Sequence, residues 1–326
     1  MRSAVFLLLC AIASLPAVQV NIVPLDAVQW SSDSAEPTTA GIARRGQVYL
    51  LVDFANEEGR KMYGGLRGAV KEPALGKAYD HIHFLLAAGG SLEQRKDGDP
   101  VDYWCKGIPQ NSGLVRAFGG GDTYAVIVLI DGSGRVTSVS RLGTLKNEEK
   151  AIKSTTKNAS PLVEDASLFP LSCKDSLEWL LLADTNRAMK DIRKAGPDAP
   201  NFIKLVSDRI NRFIEDDTKQ LTDMTKKPSE RLIAYHRLQG LLQDMPSAPA
   251  AKDAQVALKG IKDDKDLKNE LAAFGVLMEY MNVMRKTSAK KSTEVQTQWL
   301  GGINHKFSGT YAAEVASMIK RCSKIE

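Results

Sequence analysis

The 326-residue sequence predicts an α/β domain followed by an all-α domain. Three observations support this prediction. The chain is longer than a usual single domain. Up to about residue 160, apolar β-rich runs alternate with helical segments and tight turns. From about residue 165, apolar residues instead recur at the three-to-four spacing of amphipathic helices. We place the α/β domain at 46–160 and the helical domain, a bundle or solenoid, at 165–326.

The first residues have the pattern of a cleaved secretory signal peptide. Arg2 supplies a positive charge, Ala4 to Ala13 form an apolar stretch, and small residues lead to Ala17. The stretch is far shorter than the roughly 20 residues that span a bilayer. We predict a leader at 1–17, an exported (periplasmic or secreted) protein, and no membrane span in the mature chain. A lipid anchor on Cys10 and an uncleaved anchor are the alternatives.

The composition is that of an ordinary soluble protein. The 44 basic and 39 acidic residues are mixed along the chain and give a net charge of +5. A nucleic-acid-binding surface would need a basic stripe with interleaved aromatic residues, which is not seen. The polar stretch Ser31 to Pro37 predicts an N-terminal linker over 18–45. We therefore expect no nucleic-acid partner and a folded part that begins near residue 46.

The elements of the α/β domain follow one another in a simple order. The Asp131–Gly134 turn between two β-rich runs is a strong hairpin signal. The runs predict strands at Gln47–Phe54, His81–Ala88, Tyr124–Ile130 and Arg135–Ser140, and helices from about Asn56 to Tyr79, at Leu114–Phe118 and at Leu145–Ile152.

This order resembles the thioredoxin (redoxin-type) fold. The most specific features are Ala117-Phe118-Gly119, the apolar strand Val126 to Ile130, and Asp131 to Val136 after it. Leu51-Val52-Asp53-Phe54 is also similar to the family's first core strand. The resemblance covers about residues 46 to 155 and implies a thioredoxin-like α/β domain.

Two departures from the family concern its chemistry. The family has a Cys-x-x-Cys just after the first strand, where a helix N-terminus lowers the thiol pKa. Here that stretch is Ala55 to Lys61, without cysteine. The family's cis-proline before the hairpin is also missing, since Asp122 and Thr123 stand there. The resemblance therefore implies a redox-inactive domain that keeps a groove for extended peptides.

The second half reads as a series of amphipathic helices. Ser172 is a candidate cap for a helix that reaches Ile192, and Gly196-Pro197 ends it. Further helices are predicted at about 202–214, 232–242, 256–261 and 267–284, then one that ends at Trp299-Leu300 and one at Thr310–Arg321. The segment Ile303 to Ala313 resembles the step between helices of tetratricopeptide-like proteins, which implies a binding scaffold.

Three cysteines remain after the leader. Cys105 follows Trp104 and precedes Lys106, a cation that would favour the thiolate, so it is a weak catalytic candidate. It could also form an intermolecular disulfide, but a bridge to Cys173 or Cys322, or a buried free thiol, is the favoured interpretation. Cys173 and Cys322 are the candidates for a disulfide, which export would permit. Three cysteines cannot all pair within one chain.

Other candidate sites have simple structural explanations. His81 and His83 would share one face of a strand but have no third ligand, so we expect no metal site. Glu57 and Glu58 could act as an acid–base pair, but acids are common at helix N-termini. Gly119-Gly120-Gly121 lacks the Lys-Ser or Lys-Thr of a phosphate loop and predicts a turn or close packing. We expect no cofactor.

The sequence thus favours a non-enzymatic exported module that binds a protein or peptide. The alternative is a thiol oxidoreductase that uses Cys105 in a non-standard position. The layout of a sheet domain before helices also resembles glutathione transferases. The leader and the missing proline, which helps to bind glutathione in that family, argue against this third interpretation.

Overall fold

The computed structural model describes residues 38–61, 82–89, 103–104, 109–141 and 145–324. Within them a mixed five-stranded sheet has the order β3-β2-β1-β4-β5. Strand β1 is antiparallel to β4, which forms the predicted hairpin with β5, while β2 lies parallel to β1 and β3 parallel to β2. The strands are β1 (Gly46–Asp53), β2 (Ile82–Gly89), β3 (Tyr103–Trp104), β4 (Ala125–Ile130) and β5 (Val136–Arg141).

Both faces of the central strands are covered, as their continuous apolar runs predict. Strand β4 is buried along its whole length, and β1 is buried from Gly46 to Val52. Successive side chains point to opposite faces of a sheet. Tyr49 and Leu51 belong to the core that also contains residues of the C-terminal helices, whereas Val48 on the other face is buried outside that cluster.

The described helices of this part lie at predicted places, whereas the predicted continuation of the first helix, from residue 62 to Tyr79, lies outside the described residues. A helical turn begins at Glu57, after β1. Helix α2 (Pro109–Gly119) packs on β1, β2, β4 and β5, and α3 (Leu145–Ser154) follows the hairpin. The predicted strand at His81–Ala88 is found one residue later, as β2. The predicted Leu114–Phe118 helix is longer than expected and includes Pro109 near its start, where proline is tolerated.

The expected linker differs from the structure at its C-terminal end. Residues 38–43 are buried and contain the short helix α1 (Thr39–Ile42). The Thr38 N–H donates to the carbonyl oxygen of Ala183 at 2.9 Å. A Cβ on Gly41 would lie 2.0 Å from that oxygen, so only glycine permits this approach. The small residues that predicted a linker therefore allow close packing at this point. The rest of the predicted linker, residues 18–37, lies outside the described part.

The second half is helical, as predicted. Its helices are α4 (Lys174–Leu181), α5 (Thr185–Asp191), α6 (Ala199–Thr222), α7 (Pro228–Asp244), α8 (Ala251–Gly260), α9 (Lys265–Lys286), α10 (Ala289–Lys306) and α11 (Tyr311–Ser323). Helix α10 continues past Trp299-Leu300, where we expected an end. It stops before the turn that leads to Thr310, whose side chain caps α11.

The predicted helix from Ser172 to Ile192 is two helices. Ala183 has a left-handed conformation, with φ of 61°, which breaks the helix after α4. Asp184 then caps α5, because its carboxylate accepts a hydrogen bond from the Arg187 N–H at 2.9 Å. Ser172 caps no helix, and its hydroxyl instead donates to Asp198.

The two halves share one hydrophobic core. Helix α2 of the sheet domain packs against α9, α10 and α11, and β5 packs against α11. Two buried tyrosines join the halves by hydrogen bonds. The Tyr311 hydroxyl accepts from the Val136 N–H at 2.8 Å, and the Tyr280 hydroxyl donates to the carbonyl oxygen of Ala117. The halves therefore form one packed body across this face of the sheet.

Candidate functional site

The polar side chains of the segment that follows β1 stabilise the first turn of a helix. The side-chain oxygen of Asn56 accepts a hydrogen bond from the Glu58 N–H at 2.9 Å, as an N-cap does. Glu57 and Glu58 are exposed, and the Glu57 carboxylate lies 3.0 Å from the Lys61 ammonium. The two acids thus occupy the first turn of a helix and do not converge on a shared site.

The loop before β4 lies beside this segment. The Asp53 N–H donates to the carbonyl oxygen of Tyr124 at 2.8 Å. A Cβ on Gly59 would lie 2.2 Å from the Asp53 carbonyl oxygen and 3.2 Å from that of Tyr124. Thr123 is buried, and its hydroxyl donates to the carbonyl oxygen of Gly119. Backbone contacts therefore fill the space between the segment that follows β1 and the loop before β4.

The cysteine predictions have different outcomes. Cys173 and Cys322 are both buried, and Cys173 is a free thiol, so the disulfide that we considered is not formed. They lie on separate elements, just before α4 and near the end of α11. Cys105 and His81 lie outside the described residues, and of His83 only the backbone is described, so the weak catalytic candidate stays a prediction.

An open cleft of about 650 Å³ lies where the two halves meet. The loop between α2 and β4 forms one wall, α10 forms another, and the ends of β5 and α11 complete it. Its lining includes Gly120, Gly121, Asp122, Arg141, Ala289, Thr293, Gln296, Thr297, Ser323 and Lys324. Its volume is within the range of sites for small ligands, roughly 300–1,000 Å³. We take it as the candidate ligand cleft.

Two of the three consecutive glycines, Gly120 and Gly121, line the ligand cleft. A Cβ on Gly121 would lie 2.8 Å from the Ser292 hydroxyl, and Gly120 has a φ of +91°. A Cβ on Gly119 would lie 2.3 Å from the Thr123 side chain. The sequence prediction of a turn or close packing is therefore confirmed, and at Gly121 the loop approaches α10 because this residue has no side chain.

Helix α10 presents its N-terminal turn and one stripe of side chains to the ligand cleft. Ala289, Thr293, Gln296 and Thr297 recur at the spacing of one helix face. Ser288 is the N-cap, but its side chain makes no capping hydrogen bond, and the first turn holds no acidic residue. The N–H groups at such a helix end carry a partial positive charge.

Gln296 is the buried polar group of the ligand cleft. Its side chain is fully buried, and its Nε2 donates to the carbonyl oxygen of Ala117 at 2.9 Å. Its Oε1 has no hydrogen-bond partner within the described part of the chain. Because the whole side chain is buried, this acceptor lies beneath the surface of the cleft and belongs to the packing between α10 and α2.

Arg141 lies across the ligand cleft from α10 and neutralises the negative groups on that side. It donates to the carbonyl oxygens of Cys322 and Ser323 at the end of α11, at 2.9 and 3.3 Å. It also pairs with Asp122 at 3.0 Å, and this contact lowers the pKa of the Asp122 carboxyl. The C-terminal carbonyls of α11 therefore already have a cation, whereas the N-terminus of α10 has no anion from its own first turn.

A second cleft of about 400 Å³ lies between the hairpin turn and helices α6 and α7. Its charged groups are mixed, with Lys219 and Lys226 beside Asp223 and Glu230. None of the residues described as lining it has a buried polar atom that lacks a partner. These mixed charges favour no single charge of ligand.

Other kinds of site are not found in the described ranges. These ranges hold no group of three or more His, Cys, Asp or Glu residues that could bind a metal ion. None of their helices is both long and apolar enough to cross a membrane.

Comparison with known proteins gives no match. No protein-family model matches the chain, and neither a curated protein nor a solved structure is detectably similar to it. The fold and the ligand cleft therefore define the class by themselves: an α/β sheet domain joined to a helical domain, with an open polar cleft at the junction.

Sequence reasoning did not find this ligand cleft. Its residues come from four separate stretches of the chain, and neither Gln296 nor Lys324 belongs to a motif. One available signal was the run of glycines at 119–121, which marks a close approach of backbone. A second was the Lys-rich start of α10 without an acidic residue.

Proposed function

We propose that this chain is an exported, redox-inactive binding module that holds a peptide in the ligand cleft between its sheet domain and its helices. The observation that carries the proposal is the cleft itself. It is open, it is made by both halves, and polar groups from both of them, among them Arg141 and Thr297, line it. A cleft with few convergent polar groups is the usual form of a ligand site.

The strand arrangement supports a thioredoxin-like origin of the sheet domain. Strands β2, β1, β4 and β5 are neighbours in that order, the first two parallel and the last two antiparallel. The hydrogen bond from the Asp53 N–H to the Tyr124 carbonyl oxygen also holds the start of the helix after β1 beside the loop before β4.

The residues at this junction support a role without thiol chemistry. Asn56 occupies the helix N-terminus where that family would place a reactive thiol, and its side chain serves as a cap. The described cysteines are buried away from solvent. A buried thiol reacts slowly because exchange needs an accessible thiolate. No described residue favours the rival oxidoreductase, which would depend on Cys105. The leader at 1–17 is the basis for proposing export.

Filling the ligand cleft tests the proposal. Thr297 is exposed, lines the cleft, and donates its hydroxyl to the carbonyl four residues before it at 2.9 Å. Thr222 on α6 is exposed and makes the same bond at 2.9 Å, but it lies outside the cleft lining. We expect Thr297→Trp to abolish binding of a fluorescent random pentapeptide mixture, measured by anisotropy, and Thr222→Trp to leave it unchanged.

Peptide binding and thiol reactivity together distinguish the binding module from the oxidoreductase that would use Cys105. Cys105→Ser should leave peptide binding unchanged, and alkylation of native Cys105 should be no faster than that of a free model thiol. Peptide binding that survives Thr297→Trp would refute the cleft as the binding site. Fast alkylation of Cys105, together with turnover in a disulfide-reduction assay, would instead support the oxidoreductase.

A further inference from the structure

The segment before β1 lies as a strap against the helical half. We define the strap as residues 38–43, which contain α1 and are buried. Its first residue, Thr38, donates its N–H and its hydroxyl to the carbonyl oxygen of Ala183, at 2.9 and 3.0 Å. A Cβ on Gly240 of α7 would lie 2.2 Å from the Thr39 hydroxyl, so this residue leaves room for the strap. The strap therefore lies between α7 and the turn that joins α4 to α5.

An ionisable side chain holds the middle of the strap. The Asp244 carboxylate, at the C-terminal end of α7, accepts a hydrogen bond from the Ala40 N–H at 2.8 Å and a second one from the Thr39 backbone. Helices α1, α6, α8 and α9 pack against α7. None of their described charged side chains forms an ion pair with Asp244 or contributes to its pKa. The carboxylate therefore faces backbone N–H groups and the partial negative charge at the end of its own helix.

Ionisation of Asp244 and docking of the strap oppose each other. The docked strap keeps water from the carboxylate, which penalises its charged form, and the end of α7 adds a partial charge of the same sign. The two N–H bonds act in the other direction, but burial is the larger effect and raises the pKa of Asp244 to about 6. When the strap leaves, the carboxylate returns to water and its pKa falls to about 4. Loss of the Asp244 proton therefore favours release of the strap.

The residue after the strap is anchored independently of Asp244. Arg44 has a left-handed conformation, with φ of 58°, at the point where the chain turns toward β1. Its guanidinium pairs with Asp217 at 2.9 Å and lies over the Phe213 ring. The strap itself has one large apolar side chain, Ile42, so polar contacts make up a large share of what holds it. The strap can therefore leave while the chain from Arg44 onward stays in place.

We propose that the strap is a pH-sensitive device, docked on the helical half in mildly acidic surroundings and released toward neutral pH as the Asp244 carboxyl loses its proton. Because docking raises the pKa of this carboxyl, its contribution to docking is complete below about pH 4 and is lost as the pH rises through about 6. Release uncovers α7 and the turn before α5. Neither the strap nor Asp244 lines the ligand cleft, so this inference does not depend on the proposed binding function.

Hydrogen exchange of the strap amides tests this device. The N–H groups of Ala40, Ile42 and Ala43 are all hydrogen-bonded in the docked strap. After correction for the intrinsic exchange rate, we expect their protection to fall about 25-fold between about pH 4.5 and 7.5. In Asp244→Asn it should be equal at both pH values, whereas Asp253→Asn, which removes an exposed carboxyl of α8, should keep the native dependence. Protection that is independent of pH in the native chain would overturn the proposal.

Urea distinguishes release of the strap from unfolding of the whole chain. Local opening exposes little surface, so at about pH 7.5 low urea should hardly change exchange in the strap, whereas exchange in β4 should accelerate. Thr38→Val removes the hydroxyl bond to Ala183 and keeps the carboxylate, so it should lower strap protection severalfold at both pH values and retain the pH dependence. If the strap amides respond to urea as strongly as those of β4, the strap opens only with the whole protein and the proposal is wrong.

Discussion

Asp244 is the residue whose ionisation should most affect folding stability. It lies at the end of α7, and one of its carboxylate oxygens accepts a hydrogen bond from the Ala40 N–H at 2.8 Å. Burial raises the pKa of this carboxyl to about 6. The folded chain therefore holds the Asp244 proton more tightly than the unfolded chain, whose pKa is about 4. The stability that this group contributes is complete below about pH 4 and is lost as the pH rises through about 6.

Asp244→Asn should remove this pH dependence. Because the amide cannot ionise, the unfolding free energy of the variant relative to the native chain should increase by about 2 kcal/mol between about pH 4.5 and 7.5. Urea unfolding at several pH values would measure it. Other titrating groups cancel in the difference, so parallel curves for the two proteins would show that Asp244 has an ordinary pKa.

At the residue scale, the sequence shows directly which residue types are missing from a segment. It does not show which distant residues a side chain will contact. The absence of cysteine at Ala55 to Lys61 was visible directly. That Gln296 is buried was not, because its burial depends on α2, a helix almost 180 residues away in sequence. A polar residue on an amphipathic helix is normally exposed, and only the packed structure shows the exception.

At the scale of elements, a buried ion cluster holds four segments together. The Asp217 carboxylate on α6 is fully buried and pairs with Arg44 at 2.9 Å and with Arg237 of α7 at 2.6 Å. Arg237 also donates to the carbonyl oxygen of Ser133 in the hairpin turn. The cluster therefore connects α6 and α7 to the segment before β1 and to the hairpin.

Removing the charge of Asp217 should be strongly destabilising. Asp217→Asn leaves the buried guanidinium of Arg237 and the partly buried one of Arg44 without their carboxylate, and we expect a loss of about 3–5 kcal/mol in the free energy of unfolding. Its neighbour Asp216 is more than half exposed and 3.8 Å from Arg44, so Asp216→Asn should change stability by less than about 0.5 kcal/mol. Denaturant titration of both variants measures the contrast. Similar effects of the two substitutions would mean that the cluster contributes little.

Two glycines should respond to alanine in opposite directions. Gly41→Ala places a methyl group against the backbone of Ala183, and we expect a loss of about 1–3 kcal/mol. Gly275 lies inside α9 with open space around its Cα, so Gly275→Ala should raise stability by about 0.5–1 kcal/mol. Thermal unfolding followed by circular dichroism distinguishes the two. A neutral Gly41→Ala would show that α1 can move away from Ala183 at little cost.

Most elements of this fold could be predicted because their patterns are local. The hairpin follows from Asp131–Gly134 between apolar runs, and strands β1 and β4 follow from continuous apolar sequence. The break after α4 was missed because the left-handed Ala183 is held by Thr38, far away in sequence. The pattern of apolar residues continues across the break, so periodicity alone cannot detect it.

At the scale of the whole molecule, the change of sequence pattern near residue 165 predicted two domains. The structure shows that these two halves share one core. Residues from β4, α2, α9 and α11 belong to a single buried cluster. Local patterns indicate what each element is, but they do not indicate how much surface two domains bury against each other. The shared core implies that the two halves unfold together.

A core substitution in the helical half should therefore weaken the sheet as well. Leu277 on α9 is fully buried, and Leu277→Ala should cost about 2–5 kcal/mol. Hydrogen exchange at the backbone amides of β4 should accelerate by the factor that corresponds to this loss, although β4 itself is unchanged. Val256→Ala, at a side chain that is 64% exposed on α8, should leave exchange unchanged. If Leu277→Ala speeds exchange in α9 but not in β4, the halves unfold separately, and the ligand cleft can open by domain separation.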